Sequence, residues 1–263
     1  MKKYHLPALL TVFLLLLLAI CQHFPLKQVL QTSRKTAVVV IDVGHGGFDP
    51  GKISVDGTLE KDINLAIALR LQKYLAATDC QVYLTRETDC SLSDPDASNK
   101  KQSDMKNRAA FIEQLRPDLM ISIHQNSFSS QTEYGAQTFY YHTSDNSSQL
   151  AGAIQTSLIE TVNPENHRRE KSNDSYYMLK NVSCPAVIVE CGFLSNPTEA
   201  ALLNTESYQE LIAYAIARGV RIFLNTADTN GTVSARHRQS VCLTCCFLNN
   251  LCVMLRFMQA TSV

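Results

Sequence analysis

The stretch Val38–Glu60, VVVIDVGHGGFDPGKISVDGTLE, decides how this chain is to be read. The apolar, β-branched run Ala37–Ile41 has the length and flanks of a buried strand, and Asp42 follows it. His45 then sits among Gly44, Gly46 and Gly47, residues that let a backbone turn sharply and pass close to a ligand. Turn signals come at Asp49-Pro50-Gly51 and Asp56-Gly57, and Glu60 opens a helix. One imidazole and one carboxylate, 15 residues apart, are thus delivered by a strand end and a helix start. For the two to meet, the loop between them must fold back, and its two turns are the means.

Outward from this stretch, strands and helices alternate. Lys61–Ala77 carries apolar residues from Ile63 to Leu75 at helical spacing, with Thr58 as its expected cap. Gln81–Leu84 reads as a strand, Thr88–Ser103 as a polar surface loop, and Met105–Leu115 as a helix stopped by Pro117. Leu119–Ile123 is a further apolar strand and runs into His124. Gly135–Tyr141 reads as a strand, Ser148–Val162 as a helix, and Asn163–Ser175 as a charged loop. Ala186–Val189 is a strand that runs into Glu190, and Thr198–Leu203 and Ser207–Leu224 are helical. This order predicts an α/β fold, a single three-layer αβα domain whose sheet is mixed and mostly parallel. In such sheets ligands gather at the carboxyl ends of the strands. Three strands here end at His45, His124 and Glu190.

Those ends carry a chemistry. An ionised carboxylate after Ala-Val-Ile-Val is costly unless a charge or metal neutralises it, so Glu190 demands a partner. Two imidazoles, one carboxylate ligand and one spare carboxylate fit a catalytic zinc site, in which two His and one Glu bind the metal and a fourth position is left for water. The metal acidifies that water and polarises a carbonyl, and the spare carboxylate moves the proton to a leaving amine. Amide hydrolysis follows as the implied reaction. Other classes lack support. Lys+Arg and Asp+Glu both number 24, so charge gives no reason to expect nucleic acid as a partner. No Walker-type phosphate loop is present, and Ser122 and Ser127 lack the strand–elbow–helix setting of a nucleophile.

Four ordered motifs add a family resemblance. Ile41-Asp42-Val43-Gly44-His45-Gly46-Gly47-x-Asp49-Pro50-Gly51, Glu60-Lys61-Asp62, Ser122-Ile123-His124-Gln125-Asn126-Ser127 and Val189-Glu190-Cys191-Gly192-Phe193-Leu194-Ser195-Asn196 resemble the zinc-dependent N-acetylmuramoyl-L-alanine amidases. The resemblance covers about residues 37–224. It implies a sheet of roughly six strands, one zinc ion, and cleavage of the amide between muramic acid and L-alanine in peptidoglycan. It also implies that His45, Glu60 and His124 bind the metal and that Glu190 is the catalytic acid. A short N-terminal segment before a bare catalytic domain looks like the sporulation- and germination-associated members, which act on spore cortex. Val43 and Gln125 depart from the family, which usually has a small residue at the first position and Ala at the second. Two alternatives stay open at this point: a metallopeptidase acting on peptide cross-links, and a non-catalytic peptidoglycan-binding module.

The flanks complete the expected organisation. Lys2 and Lys3 precede Leu6–Cys21, a 16-residue leucine-rich run, shorter than the roughly 20 residues that cross a bilayer unaided. Residues 1–26 therefore read as a membrane anchor or signal segment, with a retained anchor favoured, and 27–36 as a polar linker. Either form places a catalytic domain at 37–225 outside the cytoplasm, acting as a monomer on peptidoglycan. Residues 226–263 change composition and hold four of the nine cysteines, and they read as a disordered Cys-rich tail. Cys184 and Cys191 flank an apolar strand and read as small hydrophobes, and no disulfide is expected.

Overall fold

The period-2 alternation of the central strands decides which helices cover which face. In the computed structural model, which describes residues 36–230 apart from residue 79, strand β1 (Val38–Val43) turns Val39, Ile41 and Val43 to one side and Val40 to the other. The first side meets helices α1 (Glu60–Ala76), α3 (Asp145–Thr161) and α6 (Glu206–Asn230) through Ile63, Leu71, Leu150, Ile154, Ile212 and Ile216. The second side meets α2 (Lys100–Leu115) and the short α4 (Tyr177–Lys180) through Ala109, Ile112, Met178 and Leu179. Each fully buried Ile or Leu in these layers stabilises the fold by about 1.5–3 kcal/mol relative to exposure. Helix α5 (Pro197–Leu203) begins at Asn196, whose side chain caps the amides of Thr198 and Glu199.

The remaining strands are β2 (Gln81–Leu84), β3 (Leu119–Asn126), β4 (Gln137–Tyr141), β5 (Lys171–Asn173) and β6 (Ala186–Phe193). They form one six-stranded sheet in the order β2-β1-β3-β6-β4-β5. All neighbours run parallel except β4 and β6, so the sheet is mixed and mostly parallel, as the alternation of elements predicts. Since β1, β3 and β6 run the same way, their carboxyl ends lie along one edge. His124 and Glu190 are direct register partners there, and Gln137 at the start of antiparallel β4 pairs with Glu190 from the other side.

Several local expectations need correction. Asn163–Ser175 is not all loop, because its last residues form edge strand β5, too short and polar to show alternation. Strands β3 and β6 run past His124 and Glu190, to Asn126 and Phe193, instead of ending at them. Thr58 does not cap α1: the N-cap is Leu59, without a side-chain cap bond. The folded-back loop does that work instead, since the amides of Glu60 and Lys61 donate to the carbonyls of Lys52 (2.9 Å) and Pro50 (3.2 Å). Helix α6 runs to Asn230, beyond the expected helix end at Leu224. The expected anchor, nearly all of the linker and the tail beyond residue 230 lie outside the described residues. Among the described residues no helix is long and apolar enough to cross a membrane.

Candidate metal centre

The loop after β1 is shaped by its own backbone and by one buried arginine. Gly46 and Asp49 exchange backbone hydrogen bonds at 3.0 and 3.1 Å, and Ile53 bridges Leu59, so the chain doubles back to α1. His45 lies at φ 62, a left-handed conformation that costs a residue with a Cβ about 1–3 kcal/mol. Arg86, just after β2, holds it there. Its guanidinium donates to the carbonyls of His45 (2.8 Å), Gly44 (3.1 Å), Lys61 (2.8 Å) and Thr88 (3.0 Å). Burial lowers the Arg86 pKa, a cost accepted because four backbone acceptors converge on it. Lys61 adds a second tie, to the Gly47 carbonyl at 2.9 Å and to Asp89 at 2.6 Å.

This folding brings His45, Glu60 and His124 together, and one ligand atom from each lies within 4.8 Å of the others. His45 Nε2 is 3.2 Å and His124 Nδ1 3.1 Å from Glu60 Oε1, and the two rings stand edge to face with centroids 4.9 Å apart. Two glycines leave the room. A Cβ on Gly44 would run into the His124 ring, and one on Gly51, at φ 69, would come within 2.6 Å of Glu60 Oε2 and 2.7 Å of His45 Cδ2.

The donor set asks for a cation. His45 Nδ1 bonds Asp49 Oδ2 at 2.8 Å, so its Nε2 carries a lone pair toward Glu60 in the neutral ring. Two acceptors 3.2 Å apart are compatible only with a proton or a metal between them. The protonation equilibria reflect the same pressure. Burial disfavours charge on His45, but Glu60 and Asp49 outweigh it and raise its pKa. Burial alone would raise the Glu60 carboxyl, yet His124 and His45 hold it far below the usual carboxylate range. Further bonds fix Glu60 in place: Lys52 N–H donates to Oε2 at 2.8 Å, and Gln125 N–H and the Asn64 amide donate to Oε1 at 3.0 and 3.4 Å. Imidazole nitrogens and a carboxylate oxygen, oriented by a second carboxylate and a buried amide, fit zinc.

Glu190 stands beside this cluster and outside it. It is buried on β6, opposite His124 in register, and burial pushes its carboxyl above the usual range. Its Oε1 accepts from the Tyr176 hydroxyl at 3.4 Å, and its Oε2 has no partner. Ser122, by contrast, is buried and donates to Asp42 at 2.6 Å, so it is no nucleophile. Cys90, Cys184 and Cys191 are free thiols, and burial pushes Cys184 up to about 12.

Sequence reading missed several members of this constellation. Asp49 reads as a turn residue but orients His45. Asn64, Arg86 and Tyr176 carry no motif signal at all. Gln125 stands out in the sequence only as a departure from the family, and in the structure its Nε2 donates to Asn64 Oδ1 at 3.1 Å.

Fold and cluster together are those of a hydrolase built on an α/β sandwich. Residues 39–221 match the N-acetylmuramoyl-L-alanine amidase family, Amidase_3, and the chain belongs to that family of enzymes. It is 37% identical over 195 residues to the germination-specific N-acetylmuramoyl-L-alanine amidase of Bacillus subtilis, a match spanning 73% of this chain and 81% of that protein. Its fold is similar to the CwlD amidase from Clostridioides difficile in complex with the GerS lipoprotein, with TM-score 0.71, 41% identity, and coverage of 73% of this chain and 100% of that one. It is also similar to an N-acetylmuramoyl-L-alanine amidase from Clostridium difficile 630, with TM-score 0.65, 31% identity, and coverage of 73% and 98%.

Proposed function

We propose that the chain hydrolyses the amide between N-acetylmuramic acid and L-alanine of peptidoglycan, using one zinc ion held by His45, Glu60 and His124, with Glu190 as the proton carrier. The observation that carries this reading is the convergence of three ligand atoms within 4.8 Å of one another, with an independent buried carboxylate in register beside them. Zinc bound at such a set supplies a Lewis acid that acidifies water and polarises a carbonyl. The protein residues do the rest. Asp49 fixes the tautomer of His45, so that Nε2 faces the ligand position. Lys52, Asn64 and Gln125 hold the Glu60 carboxylate against rotation. Glu190, with one oxygen unpartnered and its pKa raised, is suited to take a proton from water and pass it to the departing L-alanine nitrogen.

The family assignment favours this amidase over a cross-link peptidase or a non-catalytic module. We further propose a catalytic domain at 37–225, an extracytoplasmic location set by the N-terminal segment, and a role in spore cortex. The cortex role rests on similarity to the germination-specific Bacillus protein. The neighbour solved with a lipoprotein supports a protein partner for this chain as well.

Mass analysis of digested peptidoglycan tests the bond assignment. Free muramic acid residues and stem peptides with an N-terminal L-alanine are expected. Stems cut within the peptide would point to the peptidase. The Glu190→Gln variant is expected to form these products about 10²–10⁴-fold more slowly, and full activity there would remove Glu190 from the mechanism.

A further inference from the structure

The segment read in the sequence as a charged loop ends beside Glu190. Its edge strand β5 closes at Asn173, whose Oδ1 accepts from the backbone N–H groups of Ser175 (2.8 Å) and Tyr176 (2.9 Å) and from the Ser175 hydroxyl (2.9 Å). This side-chain turn carries Tyr176 back over β4. There its ring stands edge-on to Phe139, with centroids 5.5 Å apart and an interplanar angle of 85°. The half-buried ring rests on Phe139 there, and its hydroxyl lies 3.4 Å from Glu190 Oε1.

That contact is the one hydrogen bond to the Glu190 side chain among the described residues, since Oε2 is buried without a partner. A carboxylate that moves protons must be held at a fixed angle to the reacting atoms, or productive geometry is lost. Neither the strand backbone nor the metal ligands supply that restraint here. The hydroxyl also remains a donor through the neutral range, because burial and the Glu190 charge push Tyr176 up to about 12.

We propose that Tyr176 is a positioning residue for the amidase reaction: its hydroxyl holds Oε1 of Glu190 and so sets the plane in which the carboxylate exchanges its proton. The proposal rests on the assignment of Glu190 as the proton carrier. It gives the Asn173 turn and strand β5 a purpose that no sequence motif signals.

The test uses the full chain loaded with zinc and a muropeptide substrate. Tyr176→Phe keeps the ring on Phe139 and removes only the hydroxyl. Its zinc content and thermal midpoint are expected to match the parent, with KM within twofold and kcat lower by about tenfold, the scale of one lost hydrogen bond to a charged group. A merely structural role would not produce that split. Shortening the carboxylate in Glu190→Asp draws it away from the hydroxyl, so adding Tyr176→Phe to Glu190→Asp is expected to lower kcat by less than about twofold more. An unchanged kcat in Tyr176→Phe, a change carried by KM, loss of zinc, or full additivity in the double variant would each overturn the proposal. Activity retained by Glu190→Gln would instead strike the assignment on which it rests.

Discussion

Two buried carboxylates lie on neighbouring elements of the same sheet edge, and they are satisfied in opposite ways. Asp42, on β1, is fully enclosed and saturated. Arg108 forks onto it through Nε to Oδ1 at 2.9 Å and Nη2 to Oδ2 at 2.8 Å, Ser122 donates to Oδ2 at 2.6 Å, and Thr85 donates to Oδ1 at 3.2 Å. Every partner is a donor that cannot become an acceptor at that atom or is free to point its hydrogen inward. Glu60, at the start of α1, meets two imidazole nitrogens instead, and one of them, His45 Nε2, bears a lone pair in the neutral ring because Nδ1 bonds Asp49. The first cluster is complete as it stands and ties β1, β3, α2 and the residue after β2 together. The second is complete only with a proton or a cation at its centre. Saturation by donors marks a structural carboxylate; convergence of acceptors marks a metal site.

The largest effect expected from breaking this contrast is on catalysis. Glu190→Gln should lower kcat by about 10²–10⁴-fold, the range for removal of a general acid–base, in a steady-state assay of stem-peptide release. Its zinc content should stay unchanged, because Glu190 is not among the three clustered residues proposed as ligands.

Next comes the saturated cluster. Arg108→Met leaves Asp42 buried with only hydroxyl partners, and urea unfolding should show a loss of about 3–5 kcal/mol. A smaller effect is expected at Asp49. Asp49→Asn weakens the bond that orients His45 and should reduce zinc affinity by about 10–100-fold in a competition titration with a chromogenic chelator, leaving the unfolding free energy of the metal-free protein little changed.

The smallest effect is the pH dependence of stability. Burial raises the Asp42 carboxyl, but Arg108 and Ser122 outweigh it and hold it below its ordinary value of 3.8. A lowered folded-state pKa contributes stability that is fully present above the unfolded value and is lost as pH falls through the folded one. Unfolding free energy should therefore be insensitive to this group from neutrality down to about pH 5 and fall below about pH 4. A metal-free protein whose stability rises through that acid range would contradict the role given to Asp42.

How much of this could be read before folding depends on where each residue's partner lies. The layered fold was legible because its strands are short apolar runs between polar punctuation, and the strand ends pointed at His45, His124 and Glu190. Glu60 was legible because a Gly- and Pro-rich loop between a strand and a helix must double back. Strand β5 was hidden because Lys171-Ser172-Asn173 is a polar edge with no inward face to declare. Arg86, Asn64 and Gln125 were hidden for a different reason. The acceptors of Arg86 are all backbone carbonyls, and those of Asn64 and Gln125 include the Gly44 carbonyl and groups 61 and 65 residues away, so no motif in the chain records them. Asp42 stood in plain view at the end of an apolar strand, yet its partner Arg108 is 66 residues away on α2. Tyr176 depends on a turn made by the side chain of Asn173, a local device that resembles any polar loop.

On the proposed function, the acceptor-rich cluster takes up one zinc ion and the donor-saturated cluster takes up none. Metal analysis of the purified parent, His124→Ala and Asp42→Asn proteins, each exchanged into the same zinc buffer, tests it most directly. One zinc per chain is predicted in the parent and in folded Asp42→Asn, and none in His124→Ala. A His124→Ala protein that still carries one zinc, or a parent that binds none, would contradict it.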